Sequence, residues 1–193
     1  WLILDKPLRM SSAKAVGKVR QYFNAAKAGH AGTLDPLATG ILPIAMGDAT
    51  KVVFAPLNGE KTYRFKIRWG VDRDTDDAEG RGVHKSENRP TPDQIRDALS
   101  LFTGLPEQVP PIYSAVKVNG IRAYTLARSG RSPKLETRSV IIKELTLDTC
   151  IDEDHALVEM ICGKGTYVRG LARDIGRHLG CFGYVSELRR IRV

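Results

Sequence analysis

An α+β domain is what the sequence predicts, on three observations. Residues Thr62 to Trp69 alternate with the two-residue period of a strand, a capping box at Thr91 opens a run with helical apolar spacing, and a second amphipathic run extends from about Thr166 to Leu179. The chain has 193 residues, 42% of them hydrophobic and 27% charged, which suits one domain with a sizeable core or two small ones and excludes disorder as the default.

Taken in order, the apolar run Trp1 to Leu4, closed by Asp5-Lys6-Pro7, reads as a buried strand entering a turn. Ser11-Ser12 caps a helix with Val16, Val19 and Phe23 on its apolar face, while Lys14, Lys18 and Lys27 leave a basic face. Residues 28 to 50 read as an irregular, Gly-rich stretch. In the strand that follows, Tyr63, Phe65, Ile67 and Trp69 share one face. Arg64, Lys66 and Arg68 share the other, which is either a solvated sheet surface or a phosphate-facing one. Asp72 to Asp77 imitates the opening of a calcium loop, but Asp77 stands where Gly is needed and Val83 where Glu belongs, so calcium is excluded. Thr91-Pro92-Asp93-Gln94 starts a structural helix with Ile95, Leu99 and Phe102 on one face and Gly104 at its end.

Val109 to Val118 carries Pro110-Pro111, and Asn119-Gly120 signals a tight turn. From Lys117 to Arg138 six cations face only Glu136, with Tyr113 and Tyr124 nearby, a pattern of either a solvated loop or an RNA-gripping segment. Strand-like runs follow at Val140 to Leu147 and Ala156 to Cys162. Gly163-Lys164-Gly165-Thr166 lacks the earlier glycine and the hydroxyl of a nucleotide-binding phosphate loop. The last helix has Val168, Leu171, Ala172, Ile175 and Leu179 as its apolar face, and Arg169, Arg173 and Arg177, at four-residue spacing, are predicted to point off the core.

Cys150, Cys162 and Cys181 lack zinc-site spacing and read as small buried hydrophobes. Lys and Arg outnumber Asp and Glu by 30 to 22, which favours a polyanionic partner, nucleic acid or an anionic surface. No apolar run approaches a bilayer span and no secretory leader opens the chain, so a soluble, cytoplasmic protein is expected. The chain starts at Trp1 and stops inside the strand-like run Leu188 to Val193, as a piece of a longer protein would.

Gly29 to Gly40 concentrates three glycines, His30 and Asp35 in one short loop. Asp35 before Pro36 has the form of a helix N-cap followed by an N1 proline, yet an acid in a Gly-rich loop is equally a candidate functional group. Local sequence leaves both readings open.

The run Ala28-Gly29-His30-Ala31-Gly32-Thr33-Leu34-Asp35-Pro36-Leu37-Ala38-Thr39-Gly40 resembles the signature of the TruB family of tRNA pseudouridine synthases. Leu4-Asp5-Lys6-Pro7, Lys61-Thr62-Tyr63-Arg64, Asp74-Thr75-Asp76 with Gly80, Pro111 to Lys117, Lys164 to Arg169 and Leu188-Arg189-Arg190 resemble the same family in the same order. Leu37 to Gly40 and the acidic segment Asp72 to Gly80 look more like the bacterial branch than the dyskerin-like enzymes.

The resemblance implies a pseudouridine synthase fold, α+β with a mixed, largely antiparallel central sheet flanked by helices. It implies one catalytic domain over residues 1–193, with a basic RNA-gripping insertion at about 110–139 and without the family's small C-terminal RNA-binding domain. The implied reaction is isomerisation of uridine 55 in the T-loop of tRNA, with the target flipped from its stack and with neither cofactor nor metal. By the same resemblance Asp35 is the catalytic carboxylate, Arg169 its partner, and Tyr63 the ring that stacks on uracil and assists at C5. His30 would fill the gap left by the flipped base and Leu188 would pack against it, with Tyr167 and Lys6 as further substrate or structural contacts. The expected partner is tRNA, bound by a monomer without an obligatory protein partner. The rival readings are a non-catalytic RNA-binding or tRNA-folding module and a guide-RNA-dependent rRNA pseudouridine synthase.

Overall fold

A computed structural model describes all residues 1–193. Seven strands form the central sheet: β1 (Leu2–Lys6), β2 (Ala28–His30), β3 (Ala38–Met46), β4 (Lys61–Trp69), β5 (Ile142–Asp152), β6 (His155–Cys162) and β7 (Gly183–Arg192). Their order is β1-β3-β7-β4-β6-β5, with β2 also on β3. Every pairing is antiparallel except β7 with β3, so the sheet is mixed and largely antiparallel, as expected. Three helices of ten or eleven residues accompany it: α1 (Ser12–Tyr22), α2 (Pro92–Leu101) and α3 (Val168–His178). No helix is long and apolar enough to cross a membrane.

The periodic segments fold as their patterns dictate. Phe65, Ile67 and Trp69 of β4 are buried, and α3 lays Val168, Leu171, Ala172 and Ile175 on the sheet. The Thr91 capping box is present, with Ile95, Ala98 and Leu99 buried behind it. Gly176 lets α3 approach the start of β7, because a Cβ there would meet the Gly183 nitrogen at 2.4 Å. On the polar face of β4, Arg64 pairs with Asp148 and Lys66 with Glu187, so the sheet carries its own counter-charges there.

Four readings of the sequence need correction. Residues 28–50 are not irregular: they hold β2 and the nine-residue β3. Pro43 is tolerated because β7 pairs with β3 only at residues 38–40, so its missing N–H breaks no bond to that neighbour. Asp35 caps no helix; Ala38 donates to its carbonyl across a turn that leads directly into β3. Arg169 and Arg173 do not point off the core but are 5% and 8% exposed. In α1, Phe23 lies beyond the helix end and is exposed, and Ser12 and Ala15 take the buried positions with Val19.

The interior divides into two apolar clusters, a large one between the sheet, α2 and α3, and a small one of Ala15, Val19, Leu34, Ala38, Leu42 and Ile44 under α1. Tyr63 and Leu188 pack against both. The seam between the clusters lies beneath the Asp35 loop.

Candidate active site

Strand register places Lys6, Gly40, Arg190 and Tyr63 in one row across β1, β3, β7 and β4. Residues directly opposite on paired strands share a face, so the row sets two cations and a phenol below the loop that carries Asp35. Gly40 makes the row possible: its φ is +102°, and a Cβ would stand 2.1 Å from the Arg190 carbonyl oxygen. Lys6 and Arg190 are almost fully buried. The Lys6 ammonium donates to the Met10 carbonyl at 2.7 Å and the Pro7 carbonyl at 3.0 Å, closing the turn before α1. The Arg190 guanidinium donates to Ile41 and Gly32 carbonyls at 2.8 and 3.1 Å.

The loop is clamped from its other side by Ser12, whose buried hydroxyl donates to the Leu34 carbonyl at 2.9 Å and accepts from the Leu34 N–H at 2.8 Å. The Arg9 N–H donates to the Pro36 carbonyl. With the residues on both sides fixed, Asp35 projects between them with its side chain 37% exposed. Oδ2 accepts from Arg169 Nε at 2.8 Å, and Oδ1 makes no hydrogen bond within the protein.

Arg169 uses every nitrogen. Besides Asp35, it donates to the Thr75 carbonyl at 2.8 Å and the Tyr113 carbonyl at 3.0 Å, and Asp77 lies 3.6 Å from it. Burial alone would lower its pKa; the Asp35 and Asp77 carboxylates more than offset this and raise it, fixing the charge. The arginines one and two turns on repeat the pattern, Arg173 with Asp76 at 2.9 Å and Arg177 with Asp72 at 2.8 Å. The segment that imitates a calcium loop is thus the acid side of an arginine ladder.

A cleft of about 590 Å³ opens over the seam. Asp35, Tyr63, Arg169, Leu188 and Tyr167 line it. Burial raises the pKa of the Tyr63 phenol against the nearby Arg190 charge, so its proton is retained. Two anticipated residues do not reach this space. Lys6 is sealed beneath the loop, and His30 lies half-buried in β2, its Nδ1 enclosed without a partner. Burial and then the Arg190 charge lower the His30 pKa, leaving a neutral imidazole.

Sequence reasoning did not assign Arg190, Ser12, Thr75 or Asp77 to the site. Arg190 sits in a strand of alternating polarity that gives no hint of its burial. Asp77 was visible only as one acid in a run. At the rim, Tyr124 and Arg128 of the basic segment, with Lys164, line the same cleft. A half-exposed carboxylate with one oxygen held by a buried arginine and the other free, next to an aromatic ring, is suited to covalent or proton-transfer chemistry on a planar heterocycle.

Residues 20–168 match the family model described as TruB family pseudouridylate synthase (N terminal domain). Proteins named tRNA pseudouridine synthase B from Agrobacterium fabrum and Rhodopseudomonas palustris are each 57% identical, over 100% and 98% of this chain. The chain spans 61% and 52% of the length of these two relatives. Among solved structures, one of a Cbf5-Nop10-Gar1 complex is similar with a TM-score of 0.75 at 31% identity, over 99% of this chain and 47% of that one. An H/ACA RNP bound to a substrate RNA containing 2'-deoxyuridine gives a TM-score of 0.72 at 27% identity, over 99% and 46%.

Proposed function

The chain belongs to the TruB family of pseudouridylate synthases, and from that premise we propose that it isomerises uridine 55 in the T-loop of tRNA, with Asp35 as the catalytic carboxylate. The observation that carries the reading is the Asp35–Arg169 pair at the base of the cleft, with Oδ1 left free. In this reaction the bond from ribose C1′ to uracil N1 breaks, the base turns in the site, and a bond forms from C1′ to C5. N1 gains a proton and C5 loses one, so nothing is oxidised and neither cofactor nor metal is consumed.

Asp35 Oδ1 serves as nucleophile or base while Arg169, bonded to Oδ2, aims the carboxylate. Tyr63 supplies the ring under the uracil. With its proton retained, it assists at C5 through its hydroxyl rather than as a phenolate. Leu188, packed against both apolar clusters, forms the wall beside the base. His30, neutral and outside the cleft, is assigned to the space the flipped nucleotide vacates. Tyr167 is a substrate contact at the N-terminus of α3, whereas Lys6 acts from beneath, by holding the turn that carries Ser11 and Ser12. Residues 110–139 grip the RNA, with Tyr124 and Arg128 at the rim.

The same proposal makes residues 1–193 the catalytic domain and the enzyme a cytoplasmic monomer that uses tRNA without a guide. The likeness to Cbf5 assemblies favours a guide-dependent reading by shape, but relatives at 57% identity are named for tRNA. Transcribed tRNA labelled with tritium at C5 of uridine separates these readings. Release is expected from tRNA alone with the wild-type protein and none above background with Asp35→Asn, at unchanged tRNA affinity. No release from any competent tRNA would overturn the proposal.

A further inference from the structure

Arg169 is not oriented by Asp35 alone. Two of its donors go to backbone carbonyls, of Thr75 on the acidic segment and Tyr113 on the proline-rich segment. Both segments lack regular structure between the residues concerned, so something else has to fix those carbonyls. The next turn of α3 holds that element. Arg173 Nη1 donates to Asp76 Oδ2 at 2.9 Å, and Nη2 donates to the Val109 carbonyl at 2.8 Å. Its Nε is taken by Asp174 at 2.8 Å. Arg173 therefore ties together the same two segments that Arg169 needs, one residue after Thr75 and four before Tyr113.

Asp76 is held at further points. Its carbonyl accepts from the Val185 N–H of β7, its N–H donates to the Arg73 carbonyl, and its φ is +59°. A left-handed aspartate pinned from both sides transmits side-chain position directly to its neighbours Thr75 and Asp77. The proline-rich side is equally tight. Gln108 exchanges hydrogen bonds with Tyr167 at 2.8 and 2.9 Å, and a Cβ on Gly170 would already press on Gln108 and Val109.

We propose that the buried Arg173–Asp76 pair is a positioning device for the reaction: it sets the Thr75 and Tyr113 carbonyls and the Asp77 carboxylate around Arg169, and through Arg169 it aims Asp35. The proposal rests on the reading of Asp35 as the catalytic carboxylate. Neither residue of the pair lines the cleft, so neither touches substrate.

Asp76 is the titratable member of the pair. Burial pushes the Asp76 carboxyl up to about 6, against the pull of Arg173 and Arg169. Arg177 also lowers it and Asp72 raises it, Asp77 lies beside it on its own segment and Asp174 shares Arg173. A folded-state pKa above the unfolded value means that the native state binds the extra proton between about pH 4 and 6, so ionising Asp76 costs stability as pH rises through that window.

The test compares wild type with Asp76→Asn, which keeps the shape and one acceptor but cannot ionise. Single-turnover tritium release, tRNA affinity and urea unfolding are measured between about pH 5 and 8. Expected is a rate about 10- to 100-fold lower for Asp76→Asn at pH 8, with tRNA affinity unchanged and stability equal to or above wild type. The wild-type rate falls towards that of the variant as pH drops through about 6, while the variant keeps no such limb. Arg173→Lys, which retains charge but not the fork, falls between the two. Equal rates at every pH, or a loss of rate that follows a loss of stability or affinity, would overturn the proposal. Failure of wild type to release tritium at all would instead overturn the parent reading.

Discussion

Arg169 Nε stands 2.8 Å from Asp35 Oδ2, joining residues 134 positions apart in the chain, and it is the only protein group that holds that carboxylate. The arginine is buried and the acid half-exposed, so the fixed member of the pair orients the accessible one. Arg169→Lys would keep the charge but could not reach Asp35 and both carbonyls together. Tritium release is expected to fall about 100-fold while tRNA affinity, measured by filter retention, stays within about twofold of wild type. An unimpaired lysine variant would show that charge alone is needed.

Ser12 predicts a different outcome. Its hydroxyl satisfies both polar groups of Leu34, and Ser12→Ala would leave a buried N–H and C=O without partners. Urea unfolding should show a loss of about 2–3 kcal/mol. Because Leu34 precedes Asp35, the rate should fall further than the unfolded fraction explains. A variant whose lower activity tracks its unfolded fraction would place Ser12 in the scaffold alone.

Gly40 offers the third check. Both its positive φ and the closeness of the Arg190 carbonyl exclude a side chain. Gly40→Ala should cost roughly 3 kcal/mol or more, by parting β3 from β7 at their parallel junction. Hydrogen exchange should then quicken at residues 188–190 and 38–40 before it quickens in β5 and β6. Uniform exchange, or none beyond wild type, would contradict the close approach.

The regular elements were legible because their residues repeat at the period of the structure they form. The alternation in β4, the capping box of α2 and the apolar stripe of α3 each needed only local information. The stretch from 28 to 50 was not, since Gly40 and Pro43 look like breakers until the parallel strand beside them is known. In the site, Asp35, Tyr63 and Arg169 stood out through the motifs around them. Arg169 and Arg173 were misplaced for a physical reason: helical spacing shows that they share a face, but their acid partners lie 134 and 97 residues earlier. Arg190 shows the same limit, as an ordinary strand arginine whose burial depends on strands drawn from both ends of the chain.

The parallel contact of β7 with β3 also governs when the protein becomes competent. Thr39 and Leu188 meet there from 149 positions apart, and Leu188 and Arg190 take their places only on that meeting. Contacts of such long range form late. During synthesis the Asp35 loop leaves the ribosome early, but its cleft has no second wall and its carboxylate no counter-ion until the segment from 169 to 190 has followed. A nascent chain would therefore carry the Asp35 carboxylate without its arginine partner until that segment has emerged and folded onto it.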